Sequence, residues 1–328
     1  MELKYLETGS QDPCYNLAFE EYALKNLTEA NYLILWQNEP SVIVGLNQLV
    51  QAEADTDYAA RNGINVVRRS SGGGAVYHDL GNLNYSFISE LGKTEQFSAE
   101  PFTRLMCAAL EKLGLDVSAG GRNDILCAGK KISGVAQRIH GRRLLYHGTL
   151  LYATDIEVME QVLSGSGAKY SSKGSKSVRS RVANISRLLG EKPDVQAFRK
   201  TLLEYLIPGD KTPVYLGADA LAEINALADS KYRSWDWTYG RNPAFTYTAQ
   251  KKFPAGTLCL GLDVRKGIIE DIGFSGDYMA KLDDGGLREA LRGLPCRPEP
   301  LIEVLKDHPL EDIFGGVTAQ ELMSLFPS

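Results

Sequence analysis

The residues best suited to chemistry lie in one short run, Arg68-Arg69-Ser70-Ser71-Gly72-Gly73-Gly74-Ala75-Val76-Tyr77-His78-Asp79. Three consecutive glycines cost backbone entropy, so keeping them needs a reason. A tight hairpin is one reason. The other is close approach of a ligand to bare main-chain N–H groups, which attract anions. The two arginines favour the anion, because guanidinium groups match carboxylate and phosphate geometry. The run is not a dinucleotide fingerprint: G-x-G-x-x-G spacing is absent, and no helical pattern follows.

Two more cationic elements ask for the same explanation. Lys131 lies in Gly129-Lys130-Lys131-Ile132-Ser133-Gly134, ahead of Arg138. From Gln161 to Gly190 there is no acidic residue, while Lys169, Lys173, Lys176, Arg179, Arg181 and Arg187 sit among Ser and Gly. That composition predicts a mobile loop, read either as a solvated linker or as a cationic flap that closes on a polyanion. Together the three elements suit a ligand with several negative charges, such as ATP reacting with a carboxylate. Two anions repel, and a lysine near both the carboxylate and the α-phosphate would stabilise the charge that builds during attack. Such attack needs positioning more than deprotonation. Gly129-Lys130 is no P-loop: Asp124 stands where the first Gly belongs and Lys131 where Ser or Thr belongs. The four histidines show no metal spacing. The five cysteines, with no C-x-x-C, indicate neither a disulfide framework nor a zinc site.

The Gly run is flanked by two predicted strands, Ile64 to Val67 and Leu83 to Ile88. Asp12-Pro13 predicts a helix start, with Asp12 as N-cap, running to about Thr28, and Glu20-Glu21 reads as its solvated face. Tyr32 to Trp36 and Val42 to Val44 read as strands around the Gln37-Asn38-Glu39-Pro40 turn. Trp36 at a strand end is either core or the wall of a ligand pocket. Phe102, Leu105, Met106, Ala109, Leu110 and Leu113 mark an amphipathic helix that Gly114 stops. Leu144 to Tyr152 reads as a strand interrupted at His147-Gly148-Thr149. Another helix starts at Asp194. Tyr247 to Lys252 is expected to be a linker. Beyond it, two alternating runs around Arg265-Lys266-Gly267 predict a hairpin, and short helical patterns follow.

The 328 residues allow one large and one small domain, and 44% hydrophobic residues suffice for a sizeable core. No run is long and apolar enough to span a membrane, and the N-terminus lacks signal-peptide features, so a cytoplasmic protein is expected. A net charge of −5 argues against a general nucleic-acid binder.

Several of these stretches closely resemble one family. Val67 to Asn82 resembles the signature of bacterial lipoate–protein ligase A. So do Gly121-Arg122-Asn123-Asp124, Lys131-Ile132-Ser133-Gly134 with Arg138, His147 to Leu151, and Ser177 to Asn184. Trp36 with Asn38, Gly45 with Asn47, and Asn242-Pro243-Ala244-Phe245 also match. The resemblance covers nearly the whole chain in order. It implies an α+β fold: a mixed, largely antiparallel sheet with helices, like biotin ligases and class II aminoacyl-tRNA synthetases, plus a small α+β C-terminal domain. The implied domains are residues 1–246 and 253–328.

The implied activity has two steps. Lipoate and ATP, with Mg2+, give lipoyl-AMP and pyrophosphate. The lipoyl group then passes to a lysine of an apo lipoyl domain, in a 2-oxoacid dehydrogenase E2 or glycine cleavage protein H. No nucleic-acid or membrane partner is implied, and a monomer is expected. By motif position, Lys131 contacts lipoate and the α-phosphate. Arg69 and the main chain of Gly74, Ala75, Val76 and Tyr77 bind ATP. Ser71, Arg138 and His147 lie near the acyl or carboxylate end, and Trp36 walls the acyl tunnel. Lys173, Arg179 and Arg181 belong to a loop that folds over the adenylate. Strand alternation lets only one of Lys130 and Lys131 face inward. Competing readings are an acyltransferase working through Cys127, a non-enzymatic binder of carrier domains, a biotin ligase and an RNA-binding module. The biotin ligase lacks its Gly-Arg-Gly-Arg motif here, and the basic loop lacks the aromatics an RNA binder would need.

Overall fold

The computed structural model describes residues 2–48, 50–91, 100–120, 124–163, 181–190, 194–239, 247–265, 267–296 and 298–326. Its centre is a seven-stranded sheet built from β1 (Leu3–Leu6), β2 (Asn31–Trp36), β6 (Asn82–Glu90), β7 (Val117–Gly120), β8 (Asp124–Cys127), β9 (Lys130–His140) and β10 (Arg143–Leu151), in the order β1-β2-β6-β10-β9-β8-β7. Within this sheet, among the described residues, β1 and β2 are the one parallel pair. A three-stranded sheet of β3 (Ser41–Val44), β4 (Asn65–Arg68) and β5 (Val76–His78) carries the Gly run between β4 and β5. This is the expected mixed, largely antiparallel α+β architecture.

Alternation along the strands divides the core in two. Leu33, Leu35, Leu83, Tyr85, Phe87, Leu144 and Tyr146 face the helices Glu100–Lys112 and Val195–Leu206. There Phe102 stacks on Phe87 at 5.3 Å and on Tyr146 at 5.7 Å. Each such pair adds roughly 0.5–1.5 kcal/mol beyond the area buried. Tyr32, Ile34, Trp36, Ile88 and Leu145 face the other way, onto the helix Pro13–Asn26. That helix starts as expected, with Asp12 accepting from the Cys14 amide. It is sandwiched between the sheet and the segment Ala218–Tyr232, so it has almost no wet face. Glu20 and Glu21, expected to be solvated, are therefore 2% and 1% exposed. Glu21 is held by Lys25 (2.6 Å), Lys231 (2.7 Å) and the Tyr232 hydroxyl.

Two more expectations are corrected. β10 runs through His147-Gly148-Thr149 without interruption, because Gly148 packs under the Tyr85 ring and leaves the ladder intact. The expected linker, Tyr247 to Lys252, lies in β11 (Tyr247–Phe253), an edge strand paired with β12 (Gly256–Arg265), which in turn pairs with β13 (Ile268–Gly276). Lys251 and Lys252 are exposed there, a composition that suits an edge strand as well as a linker. This small sheet and the helices after it have their own core, centred on Leu258, Leu260, Ile272, Phe274, Tyr278 and Phe314.

The small sheet sits directly on the Gly run. The Gly73 amide donates to Tyr278 O at 3.1 Å, and the Gly276 amide donates to Asn47 O at 2.6 Å. A Cβ on Gly72 would lie 2.7 Å from the Ala280 amide nitrogen, so glycine is what permits this approach.

Candidate active site

Antiparallel register aligns polar residues across the large sheet. Trp36, Asn84 and Thr149 are direct neighbours on β2, β6 and β10; Gly134 on β9 donates its amide to Thr149 Oγ1 at 3.2 Å and pairs with Asp124 on β8. Two positions along, Ile34, Ser86, His147 and Ala136 form the next row on the same face. Trp36, Asn84, Thr149, Gly134, His147 and Ala136 of these rows form the floor of a cavity of about 550 Å3, with Ile34 and Ser86 buried beneath it. Gly73, Gly74, Ala75 and Val76 form one wall; Pro254, Ala255, Gly256, Asp277 and Met279 of the small sheet region close another.

Lys131 lines this cavity, whereas Lys130 is exposed. Its Nζ lies 2.8 Å from Asp124 Oδ1. The side chain crosses directly over Gly134, where a Cβ would stand 2.9 Å from Nζ and 3.0 Å from Cε. The main chain of Lys131 is stitched to the exit of the basic loop: it bridges Val182, and its carbonyl accepts from the Ala183 amide at 3.0 Å. Arg181 is exposed next to that stitch; Lys173 and Arg179 lie outside the described residues, as do Gly121-Arg122-Asn123 and Asn242 to Phe245.

The two arginines do different work. Arg68 is fully buried and donates to the carbonyls of Gly45, Leu46, Gln48, Trp237 and Thr238. It is a structural clamp, which corrects the expectation that both guanidinium groups serve an anion. Arg69 lines the cavity. It holds the Gly turn from within, donating to Ser71 Oγ (3.0 Å), Ile43 O (3.0 Å), Gly72 O (2.5 Å) and Gly74 O (2.9 Å). Burial pushes it down to about 10. Tyr77 turns its ring into an apolar cluster with Val42 and Val44, so only its main chain faces the site side of β5.

A chain of buried hydrogen bonds underlies the floor. Arg69 Nε–H donates to Ser71 Oγ, Ser71 Oγ shares a hydrogen bond with His147 Nε2 (2.7 Å), and His147 Nδ1–H donates to the Glu20 carboxylate (2.8 and 2.9 Å). Trp36 Nε1 donates to Ser86 Oγ (2.8 Å), which donates to Glu20 Oε1 (2.6 Å). Ser71, His147 and Glu20 thus have the order of a hydrolytic triad. Ser71 is nonetheless buried behind His147 and does not line the cavity. The network therefore fixes Trp36 and His147, which do line it. Arg138 also stays off the cavity wall, donating to Ser70 O at 3.2 Å. Sequence reasoning missed Glu20, Ser86 and Asn84. The available signal was a carboxylate pair in a helix whose remaining positions offer no polar outer stripe.

Cys127 is buried in the apolar core, where burial pushes its thiol up. That environment makes it an inert thiol, not a nucleophile.

No helix among the described residues is long and apolar enough to cross a membrane. Residues 12–207 match the family model of the lipoyl protein ligase A/B catalytic domain, and residues 242–326 match that of the bacterial lipoate protein ligase C-terminus. The chain is 40% identical to lipoate-protein ligase LplJ of Bacillus subtilis over 319 residues, 96% of each chain. A solved lipoate-protein ligase A bound with ATP is 28% identical with a TM-score of 0.62, covering 73% of this chain and 99% of that one. A bipartite lipoate protein ligase from Thermoplasma acidophilum, solved in an analysis with its E2 lipoyl domain, is 29% identical with a TM-score of 0.65, covering 75% and 98%. With the fold, the Gly turn and the Lys131 site in place, these matches show that the chain belongs to the lipoate–protein ligase family.

Proposed function

We propose that this enzyme activates lipoate with ATP and transfers the lipoyl group to a lysine of apo lipoyl domains, in 2-oxoacid dehydrogenase E2 or glycine cleavage protein H. The observation that carries this reading is a single cavity containing Lys131, the main chain of Gly73 to Val76 and an apolar wall of Leu17, Trp36, Ile43 and Val135. The apolar wall suits the acyl chain. The turn suits phosphate.

In the first step a lipoate carboxylate oxygen attacks the α-phosphorus, and the bond to pyrophosphate breaks with its electron pair. Lys131 is the catalytic residue, bridging the two anions through its ammonium. Its pairing with Asp124 does not block this. Both side chains are 38% exposed, and an ion pair that wet contributes only about 0–1 kcal/mol. Arriving anions can displace Asp124 cheaply. Gly74, Ala75, Val76 and Tyr77 bind ATP through main-chain groups, while Arg69 holds the turn in shape and keeps positive charge behind it. Trp36 and His147 wall the acyl group, and Ser71 and Arg138 act behind them. The loop with Lys173, Arg179 and Arg181 covers the adenylate. In the second step the acceptor ε-amine attacks the acyl carbon, the bond to AMP breaks, and the amine proton passes to solvent.

Asp124 and Asp277 are the carboxylates among the cavity's lining residues. They suit a magnesium ion that arrives on the nucleotide and keeps most of its ligands on phosphate and water. We also assign a catalytic domain through residue 246, a small domain containing the β11–β13 sheet, and a cytoplasmic monomer. Lipoate-dependent exchange of pyrophosphate into ATP, run beside lipoate transfer to an apo lipoyl domain, tests the two steps. Transfer that needs no ATP would refute the reading.

A further inference from the structure

His78 follows the Gly run by four residues and is not used by the reaction as described. It is 4% exposed and lines the cavity. Its ring meets Trp36 edge-on, with centroids 6.0 Å apart. Nε2 is buried and has no hydrogen-bond partner among the described protein groups. A buried polar atom left this way costs roughly 1–3 kcal/mol, so it calls for a partner.

The other nitrogen shows what Nε2 is. Asn16 Nδ2 faces the main-chain carbonyls of Ser10 (3.1 Å) and Gln37 (2.9 Å), which can only accept. That orients the Asn16 amide. The same Nδ2 donates to Asn38 Oδ1 at 2.9 Å, so Asn38 presents its Nδ2 to His78 Nδ1 at 3.0 Å. Asn84 Nδ2 stands 3.4 Å from the same Nδ1, consistent with that direction. An amide donor aimed at Nδ1 makes it an acceptor, and the ring proton sits on Nε2. Burial holds the imidazole at about 3, so it stays neutral at physiological pH.

We propose that His78 is a substrate-binding residue whose Nε2–H donates a hydrogen bond to an oxygen of the acyl group, the carboxylate of the bound acid and then the acyl carbonyl of the adenylate. This rests on the ligase reading above. The acyl oxygen is the fitting acceptor because His78 lies between the two parts of the cavity. It shares the wall of β5 with Val76 of the Gly turn and touches Trp36 of the apolar wall. A neutral donor locked at the tautomer level needs no reorganisation when negative charge moves from carboxylate to phosphate.

Nitrogen NMR of the full-length enzyme gives the first test. Ligand-free His78 should be the neutral Nε2–H tautomer, unchanged between pH 5.5 and 8. A non-hydrolysable lipoyl-sulfamoyl-adenosine should move its Nε2–H proton downfield. An Nδ1–H tautomer, or no response to the analogue, overturns the proposal. Kinetics give the second. His78→Phe keeps the ring and removes the donor, and should lower kcat/KM for lipoate in the exchange assay by roughly ten- to a hundredfold. His78→Gln, which can still donate, should recover much of that loss. Full activity in His78→Phe overturns the proposal. If His78→Phe does not fold, Asn38→Asp keeps the histidine but favours Nδ1–H, and should lower kcat/KM similarly; unchanged kcat/KM there refutes the role. A wild-type enzyme without exchange would instead fail the ligase reading, while the tautomer measurement on ligand-free protein would still be decisive for the locked donor.

Discussion

Replacing Gly134 with alanine should damage catalysis while sparing the fold. The new Cβ would stand 2.9 Å from Lys131 Nζ and 3.0 Å from its Cε. Carbon contacts normally settle near 3.5–4.0 Å, so the ammonium must retreat by about 0.6–1.1 Å. The neighbours that must move are the far end of a flexible side chain, and Gly134 lies within β9, just past a bulge, without the positive φ that would disfavour alanine, so the stability cost should be below about 1 kcal/mol. Catalysis is less forgiving. A misplacement near 1 Å can cost about a hundredfold when a charged group must sit between two reacting anions. Exchange of pyrophosphate into ATP at saturating lipoate should therefore fall by roughly ten- to a hundredfold, with the thermal midpoint within a degree or two of wild type. Unchanged exchange would refute the claim that Lys131 works from above Gly134. A midpoint lowered by many degrees would show that the site is coupled to the core, contrary to the packing described.

Lys131→Met should abolish exchange with little change in midpoint, whereas Lys130→Met, at an exposed position, should leave both nearly unchanged; assaying the pair side by side checks which lysine faces the substrate. Arg68→Met should do the reverse of Lys131→Met. Losing the donors to five main-chain carbonyls should destabilise the protein by about 3–5 kcal/mol in a denaturant titration, and a near-normal stability would contradict the clamp. Glu20→Ala strands the buried donors of His147 and Ser86, so a loss of roughly 2–4 kcal/mol is expected, with a raised KM for lipoate as Trp36 and His147 loosen. Burial alone would raise the Glu21 carboxyl, but Lys231, Lys25 and Tyr232 outweigh it and hold it at about 2. Its folded value lies below its unfolded one, so the stabilisation, about 3 kcal/mol, is present above pH 4.5 and lost as pH falls towards 2. Denaturation midpoints of wild type and Glu21→Gln should converge across that window; parallel curves would refute the assignment.

The sequence by itself determined the parts whose physics is local. Asp12-Pro13 capped a helix because cap and ring act on the adjacent amides. The alternating runs became strands, and three glycines between strands marked the turn. The lipoate ligase resemblance rested on ordered motifs that survive in linear form. Tertiary structure decided the rest, because burial and pairing depend on what arrives from elsewhere in the chain. Arg68 and Arg69 are neighbours of the same type, yet one clamps main-chain carbonyls and the other lines the cavity, since strand alternation turns them to opposite sides. Glu20-Glu21 read as wet until the sheet and the segment Ala218–Tyr232 closed over both faces of their helix. The edge strand at Tyr247 to Lys252 read as a linker because its lysines suit either role. His78 was one letter in a motif; its tautomer was set by asparagines 16 and 38, far away in sequence, whose hydrogen bonds exist only once β2 and β5 are brought together.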